Sequence, residues 1–266
     1  MSLREFENVQ GDRILLATGS RERTLPGLDI DGEQVVTSYE ALTDTEIPES
    51  IVIVGGGEIG VEFAYVYNTF GSRVTVVEME GQLLPGVDKE VSQELERSFK
   101  NKGIEILTNA KFQSLKKFPG RVELVLESES GTQQRIANKV FVAVGRTPVT
   151  DEIGLEEAGV VLERGYIKVD EKMQTSRESV YAIGDVTGPP LLAHAATDEG
   201  IAAVEFMTGN REKPLDATRI PACIYCQPQV AVFGATEEQA RLSGTEVNVG
   251  RYPFKALGKA LASGHE

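Results

Sequence analysis

Ile51-Val52-Ile53-Val54 runs straight into Gly55-Gly56-Gly57-Glu58-Ile59-Gly60, and this junction constrains the fold more than any other stretch of the chain. Four consecutive apolar residues suit a parallel strand covered on both faces. Beyond the glycines, Val61, Phe63, Ala64, Val66 and Tyr67 carry a helical apolar pattern that stops near Gly71, a C-cap candidate. Val74-Thr75-Val76-Val77-Glu78 reads as a second strand, which completes a βαβ unit. The fold class this predicts is α/β, built around a Rossmann-like nucleotide-binding domain.

The chemistry of the loop lies in its spacing. Gly55-x-Gly57-x-x-Gly60 is a dinucleotide fingerprint when a strand precedes it, a helix opens within it and an acid ends the next strand, and Glu78 lies 21 residues beyond Gly57. Gly55 permits the tight turn, Gly57 lets the backbone approach a pyrophosphate, and Gly60 lets the helix pack close to the strand. Glu58 and Ile59 begin the helix whose positive end faces that pyrophosphate. Glu78 is placed to accept hydrogen bonds from ribose hydroxyls, and its charge repels a 2′-phosphate, which favours NAD over NADP. The plainer alternative is a glycine turn that binds nothing. Glu62, four residues after Glu58, reads by default as a solvated surface acid.

Elsewhere the elements are shorter. Arg13–Ala17 is an opening strand with no earlier βα unit to pair with, and residues 21–50 are loop-rich apart from a short helix at Ser38–Thr43. Asp88 is an N-cap candidate for a helix through about Asn101, and Ile104–Leu107 a third strand. The period then changes to two, with Val122, Leu124 and Leu126 alternating with Glu123, Val125 and Glu127 before a turn at Gly131 and a strand at Gln133–Ile136. That predicts a β-meander inserted in the nucleotide fold, before a buried strand returns at Val140–Val144. Short strands are expected at Ile167–Asp170 and Val180–Ile183, a helix at Ala193–Met207, and strands at Cys223–Tyr225, Val230–Phe233 and Glu246–Tyr252.

Composition excludes whole classes. Lys plus Arg number 27 against 41 Asp plus Glu, a formal charge of −14, so the basic face that a nucleic-acid binder needs is not expected. No apolar run reaches the roughly 18 residues of a membrane span, and the expected location is cytoplasmic. Two cysteines, Cys223 and Cys226, are too few for a secreted disulfide scaffold, and with only His194 and His265 no metal site is expected. Cys223-Ile224-Tyr225-Cys226 has a thioredoxin-like spacing but sits in a strand-like segment and not at a helix N-terminus, so structural or incidental thiols are expected.

Five motifs together carry a resemblance: Ala17-Thr18-Gly19-Ser20, the Gly55–Glu62 loop with Glu78, Val144-Gly145-Arg146-Thr147-Pro148, Ala182-Ile183-Gly184-Asp185, and Leu191-Leu192-Ala193-His194. Their order and spacing resemble the flavin-dependent pyridine nucleotide-disulfide oxidoreductases, the dihydrolipoamide dehydrogenases above all. The resemblance implies two cofactors, FAD and NAD. It implies that Thr18, Gly19 and Ser20 lie beside FAD, that Asp185 accepts from the ribityl chain, and that Leu191, Leu192, Ala193 and His194 approach the isoalloxazine at a helix N-terminus. His194 is then a flavin neighbour and not the catalytic base; on residues alone it is a helix-start histidine. Glu62 matches an acid that pairs with a lysine next to the flavin, while Phe112 and Gly145 line the path of the nicotinamide dinucleotide.

The resemblance further implies an organisation: residues 1–43 end the first flavin-domain segment, 44–149 form the NAD domain, 150–214 the central, FAD-closing segment, and 215–266 a truncated dimerisation domain of α+β type. On this expectation the chain is an internal piece, without the family's redox disulfide, first glycine fingerprint or C-terminal His/Glu dyad, and is inactive alone. The parent would be a homodimer serving the lipoamide-bearing acyltransferase component of a 2-oxoacid dehydrogenase complex. A non-catalytic NAD-binding module, or a flavin-dependent NADH reductase without a redox disulfide, stands as the alternative. Val149, Leu191 and Ala195 depart from the family's common asparagine, methionine and lysine.

Overall fold

A computed structural model describes residues 9–264, so the first part of the expected polar lead-in and His265 lie outside the described residues. The chain divides into two compact units, residues 22–145 with 221–266 and residues 1–21 with 146–220. In chain order, β1 (Ile14–Leu16), β2 (Ser20–Glu22), β3 (Val35–Val36) and the short α1 (Ser38–Ala41) precede β4 (Ser50–Val54), α2 (Glu58–Thr69), β5 (Arg73–Val77), α3 (Lys89–Asn101) and β6 (Glu105–Leu107). There follow β7 (Ala110–Phe118), β8 (Arg121–Ser128), β9 (Gly131–Ala137), β10 (Lys139–Val142) and β11 (Arg146–Pro148). Next come β12 (Leu162–Glu163), β13 (Tyr166–Ile167), β14 (Val180–Ala182) and α4 (Ala193–Met207). The chain continues through β15 (Ala222–Ile224), β16 (Val230–Val232), α5 (Glu237–Leu242) and α6 (Gly258–Ser263).

In the larger unit the apolar run of β4 is buried because each face has its own covering layer. β4 lies in a five-stranded sheet of order β3-β10-β4-β5-β6, every pairing parallel. Ile51 and Ile53, with Val74, Val76 and Phe141, pack with Val61 and Ala64 of α2 and Leu95 and Phe99 of α3. Val52 and Val54, with Val77, Val140 and Val142, belong to the opposite core, shared with Val122, Leu124 and Leu126 of the antiparallel sheet β7-β8-β9. Alternation within an unbroken hydrophobic run thus feeds two cores, and each fully buried aliphatic side chain contributes about 1.5–3 kcal/mol. Phe141 anchors the helix side, its ring centroid 4.4 Å from that of Phe63. Ile224, Cys226 and Val230 of the β15–β16 hairpin complete the same core.

The smaller unit has a core of Leu155, Val160, Ile167, Val180, Ala182 and Val186, with Leu16 packed against it. Here the opening strand pairs with a later one: β1 runs parallel to β14, Ile14 opposite Val180.

Other departures have local causes. Val35–Val36, inside the stretch read as loop-rich, is an edge strand beside β10; two residues are too few to show a period. β7 went unread because a register shift between Phe112 and Ser114 breaks its alternation. Val66 is 39% exposed and not part of the buried stripe. The strand expected at Glu246–Tyr252 does not form, and the residues around it make the short helices α5 and α6 instead. Asp88 precedes α3 as expected, yet its side chain caps nothing there and accepts the Glu237 N–H at 2.8 Å.

Candidate functional site

The glycine loop joins β4 to α2, and two of its glycines are fixed by backbone contacts. Gly55 has φ +113°, and a Cβ there would stand 2.1 Å from the Ala143 carbonyl oxygen; a Cβ on Gly60 would stand 1.9 Å from that of Gly55. Gly57 differs. It is the N-cap of the twelve-residue α2, with φ −75°, no side chain caps the helix there, and an added Cβ would meet nothing within 4 Å. The loop therefore presents the first N–H groups of α2 to open space, the geometry that suits a phosphate.

Glu78, at the end of β5, closes the other side of the loop. It is only 6% exposed, its Oε2 accepts the Gly56 N–H at 2.6 Å, and its Oε1 accepts the Glu80 N–H at 2.8 Å. A carboxylate offers about four acceptor positions, so two remain for hydroxyl donors. Among the neighbouring expected residues, Glu58 is exposed and Ile59 packs partly against the helix-side core. Glu62 is part-buried, and its Oε1 accepts the Tyr225 N–H at 2.8 Å, which ties α2 to the segment after β15. Phe112 is half-buried against the meander-side core, and Gly145, after β10, faces open space like Gly57.

A second cluster forms within the smaller unit. Arg146 Nε donates to Ser20 Oγ at 2.6 Å and its Nη2 to the Ser20 carbonyl at 2.8 Å, while Ser20 Oγ donates to Asp185 Oδ2 at 2.5 Å. Thr18 Oγ1 donates to the Val149 carbonyl, whose own N–H reaches the Gly19 carbonyl at 2.9 Å. Ser20, Arg146 and Asp185 thus form one charge-assisted relay. Asp185 stands in the 3-10 turn Gly184–Thr187, and the Gly184 N–H is accepted by Glu199 of α4 at 2.7 Å. Leu191 and Leu192 are half-buried, Ala193 and His194 exposed, at an N-terminus of α4 that has no side-chain cap.

Three of these residues escaped the sequence reading. Arg146 stands in a quoted motif but was given no role. Glu199 carried a usable signal, an acid on the buried stripe Ala195, Glu199, Ala202 and Ala203 of α4. Leu84, whose N–H donates to the Gly56 carbonyl at 2.8 Å, carried none.

Cys223 is exposed and Cys226 buried; burial first, and the Glu62 charge second, push the Cys226 thiol up to about 11. No group of three or more metal-ligating side chains converges among the described residues. Nor is any helix among them long and apolar enough to cross a membrane.

The family model described as pyridine nucleotide-disulphide oxidoreductase matches residues 3–200, and the dimerisation domain of that family matches residues 220–266. The chain is 45% identical over 254 residues to dihydrolipoyl dehydrogenase of Bacillus subtilis, covering 95% of this chain and 54% of that protein. The enzyme of the same name from Chlorobaculum tepidum is 46% identical over 253 residues, 94% of this chain and 54% of its own length. Among solved structures, LpdA from Mycobacterium tuberculosis superposes with a TM-score of 0.88 at 28% identity, over 95% of this chain and 55% of that one. The chain spans about half the length of these relatives.

Proposed function

Because the chain belongs to the pyridine nucleotide-disulphide oxidoreductase family, we propose that Gly55–Gly60 with Glu78 holds NAD, and that Thr18, Gly19, Ser20, Asp185 and Leu191–His194 form one wall of an FAD site. The protein they serve passes electrons between dihydrolipoamide and NAD through flavin and a redox disulfide. The observation that carries the NAD half is the open space before Gly57 at the uncapped start of α2, framed by two glycines whose backbone admits no side chain. A pyrophosphate there takes N–H donors that have no other partner, and the helix dipole favours its charge.

For the FAD half, the support is the relay of Arg146, Ser20 and Asp185, which fixes one face of the Asp185 carboxylate and leaves acceptor positions for a polyol chain. FAD, when bound, supplies the carrier that takes an electron pair from a dithiol and yields it as hydride to NAD. This chain's residues orient the two cofactors and exclude water. Glu62 fixes the segment at Tyr225 through Oε1 and, as the family resemblance implies, pairs with a lysine beside the flavin. Phe112 and Gly145 border the nicotinamide's approach. Cys223 and Cys226 are not the redox pair, since a buried thiol held protonated is a poor nucleophile. The parent is a homodimer, in keeping with its dimerisation domain, and its electron donor is the lipoamide-bearing acyltransferase of a 2-oxoacid dehydrogenase complex.

Calorimetric titration of the 266-residue chain with NADH and separately with NADPH tests the reading. Preference for NADH is expected; equal or tighter NADPH binding removes the role given to Glu78, and binding of neither removes the site.

A further inference from the structure

The Gly56 peptide is gripped from two sides. Its N–H goes to Glu78 Oε2 at 2.6 Å, and its carbonyl accepts the Leu84 N–H at 2.8 Å. Leu84 has φ +49°, a left-handed conformation unusual for a leucine, yet it is 1% exposed and built into the helix-side core. Such strain persists only where the surroundings over-determine it, and here they do. The Leu83 carbonyl accepts from Ser92 Oγ of α3 at 2.6 Å and the Leu83 N–H donates to Glu96 at 3.2 Å. Gln82 Nε2 spans the strap to the Val87 carbonyl at 3.2 Å. A Cβ on Gly56 would come within 2.6 Å of Leu83 Cδ2 and 3.1 Å of Glu78 Oε2, so strap, loop and carboxylate leave no slack.

We propose that Glu78 and the Gln82–Val87 strap are positioning residues that set the Gly56 peptide, so that one carboxylate both reads the cofactor and shapes the loop holding its pyrophosphate. Selectivity and loop geometry are then inseparable. Replacing Glu78 by a neutral residue does not convert the site to NADPH; it loosens the site toward both nucleotides. Gln at 78 offers one carbonyl where two N–H donors, from Gly56 and Glu80, now meet two oxygens, and turns its amide toward the other donor. This rests on the reading of the loop as an NAD site, and the test separates the two.

Amide hydrogen exchange at Gly56 in the nucleotide-free chain reports the grip alone. Titration with NADH and NADPH reports its consequence. In Glu78→Gln, Gly56 exchange is expected to quicken at least tenfold, NADH affinity to fall at least tenfold, and NADPH affinity not to rise. Ser92→Ala removes one of the strap's two hydrogen bonds to α3 without touching Glu78, and should weaken NADH about threefold or more at temperatures far below melting, with the NADH to NADPH ratio unchanged. Unaltered Gly56 exchange in Glu78→Gln, or NADPH bound as tightly as NADH, overturns the proposal. If the unsubstituted chain binds neither nucleotide, the proposed function fails, and the exchange rates still decide whether Gly56 is gripped.

Discussion

An added methyl at Gly60 would stand 1.9 Å from the Gly55 carbonyl oxygen, whereas at Gly57 it would meet nothing within 4 Å. The two positions therefore separate folding from binding. Gly60→Ala is expected to cost roughly 3 kcal/mol or more, because neither backbone can yield. Gly57→Ala should change stability by no more than about 1 kcal/mol, the scale of an N-cap change, yet lower NADH affinity at least tenfold by filling the pyrophosphate's place. Urea unfolding and titration of both variants check the contrast. The cysteines separate in the same way. At pH 8 the exposed Cys223 should alkylate readily, while Cys226, its thiol pushed up to about 11 by burial and by Glu62, should react only on unfolding. One modified thiol per native chain and two in denaturant is the expected mass-spectrometric result.

Elements succeed or fail by what holds their ends. The Gly184–Thr187 turn carries Asp185 because Glu199 of α4 accepts the Gly184 N–H, and burial foremost, then the nearby Asp185 charge, raises the Glu199 carboxyl above its ordinary range. A raised acid stabilises the fold least above that folded pKa, so its cost is greatest at neutral pH and disappears as pH falls toward the unfolded value. Glu199→Gln keeps an acceptor for Gly184 and removes the charge. Its melting temperature should exceed the wild type's by about a few degrees at pH 7, with the gap closing near pH 4. The βαβ unit and α4 were legible beforehand because each is long enough for its period to show. β7 was not, since its bulge interrupts alternation, and the strand expected at Glu246–Tyr252 was an extended-looking composition without a pairing partner. At the candidate sites, chemistry-bearing residues could be read from motifs, but Glu62's partner could not. Tyr225 lies 163 positions away, and the bond is made to its backbone, which leaves no residue signature.

For the whole molecule, the balance of 27 basic against 41 acidic residues makes acid the revealing solvent. Burial opposes ionisation of Asp31, but Lys117 and the N–H groups of Val35, Glu33 and Gln34 outweigh it and bring the carboxyl down to about 2. In Glu40 and Asp44 burial is likewise outweighed, by Thr37 and Lys139, and in Glu105 the Arg135 hydrogen bond leads. Lowered acids contribute their stability above their unfolded values and lose it as pH falls through the folded ones. Stability should hold above about pH 5 and drop between about pH 4 and 2. Asp31→Asn should lower the urea midpoint at pH 7, and the difference should vanish only below about pH 2. Partial exposure of the Asp31–Lys117 pair keeps that difference modest.

The core between the parallel sheet and helices α2 and α3 is finished by Ile224, Cys226 and Val230, far along the chain from Phe141. On a ribosome adding about 5–20 residues per second, that face waits on the order of five to twenty seconds after its last strand emerges before its covering hairpin exists. During that interval the nascent nucleotide domain displays an oily wall, and chaperones that bind such walls have their opportunity there.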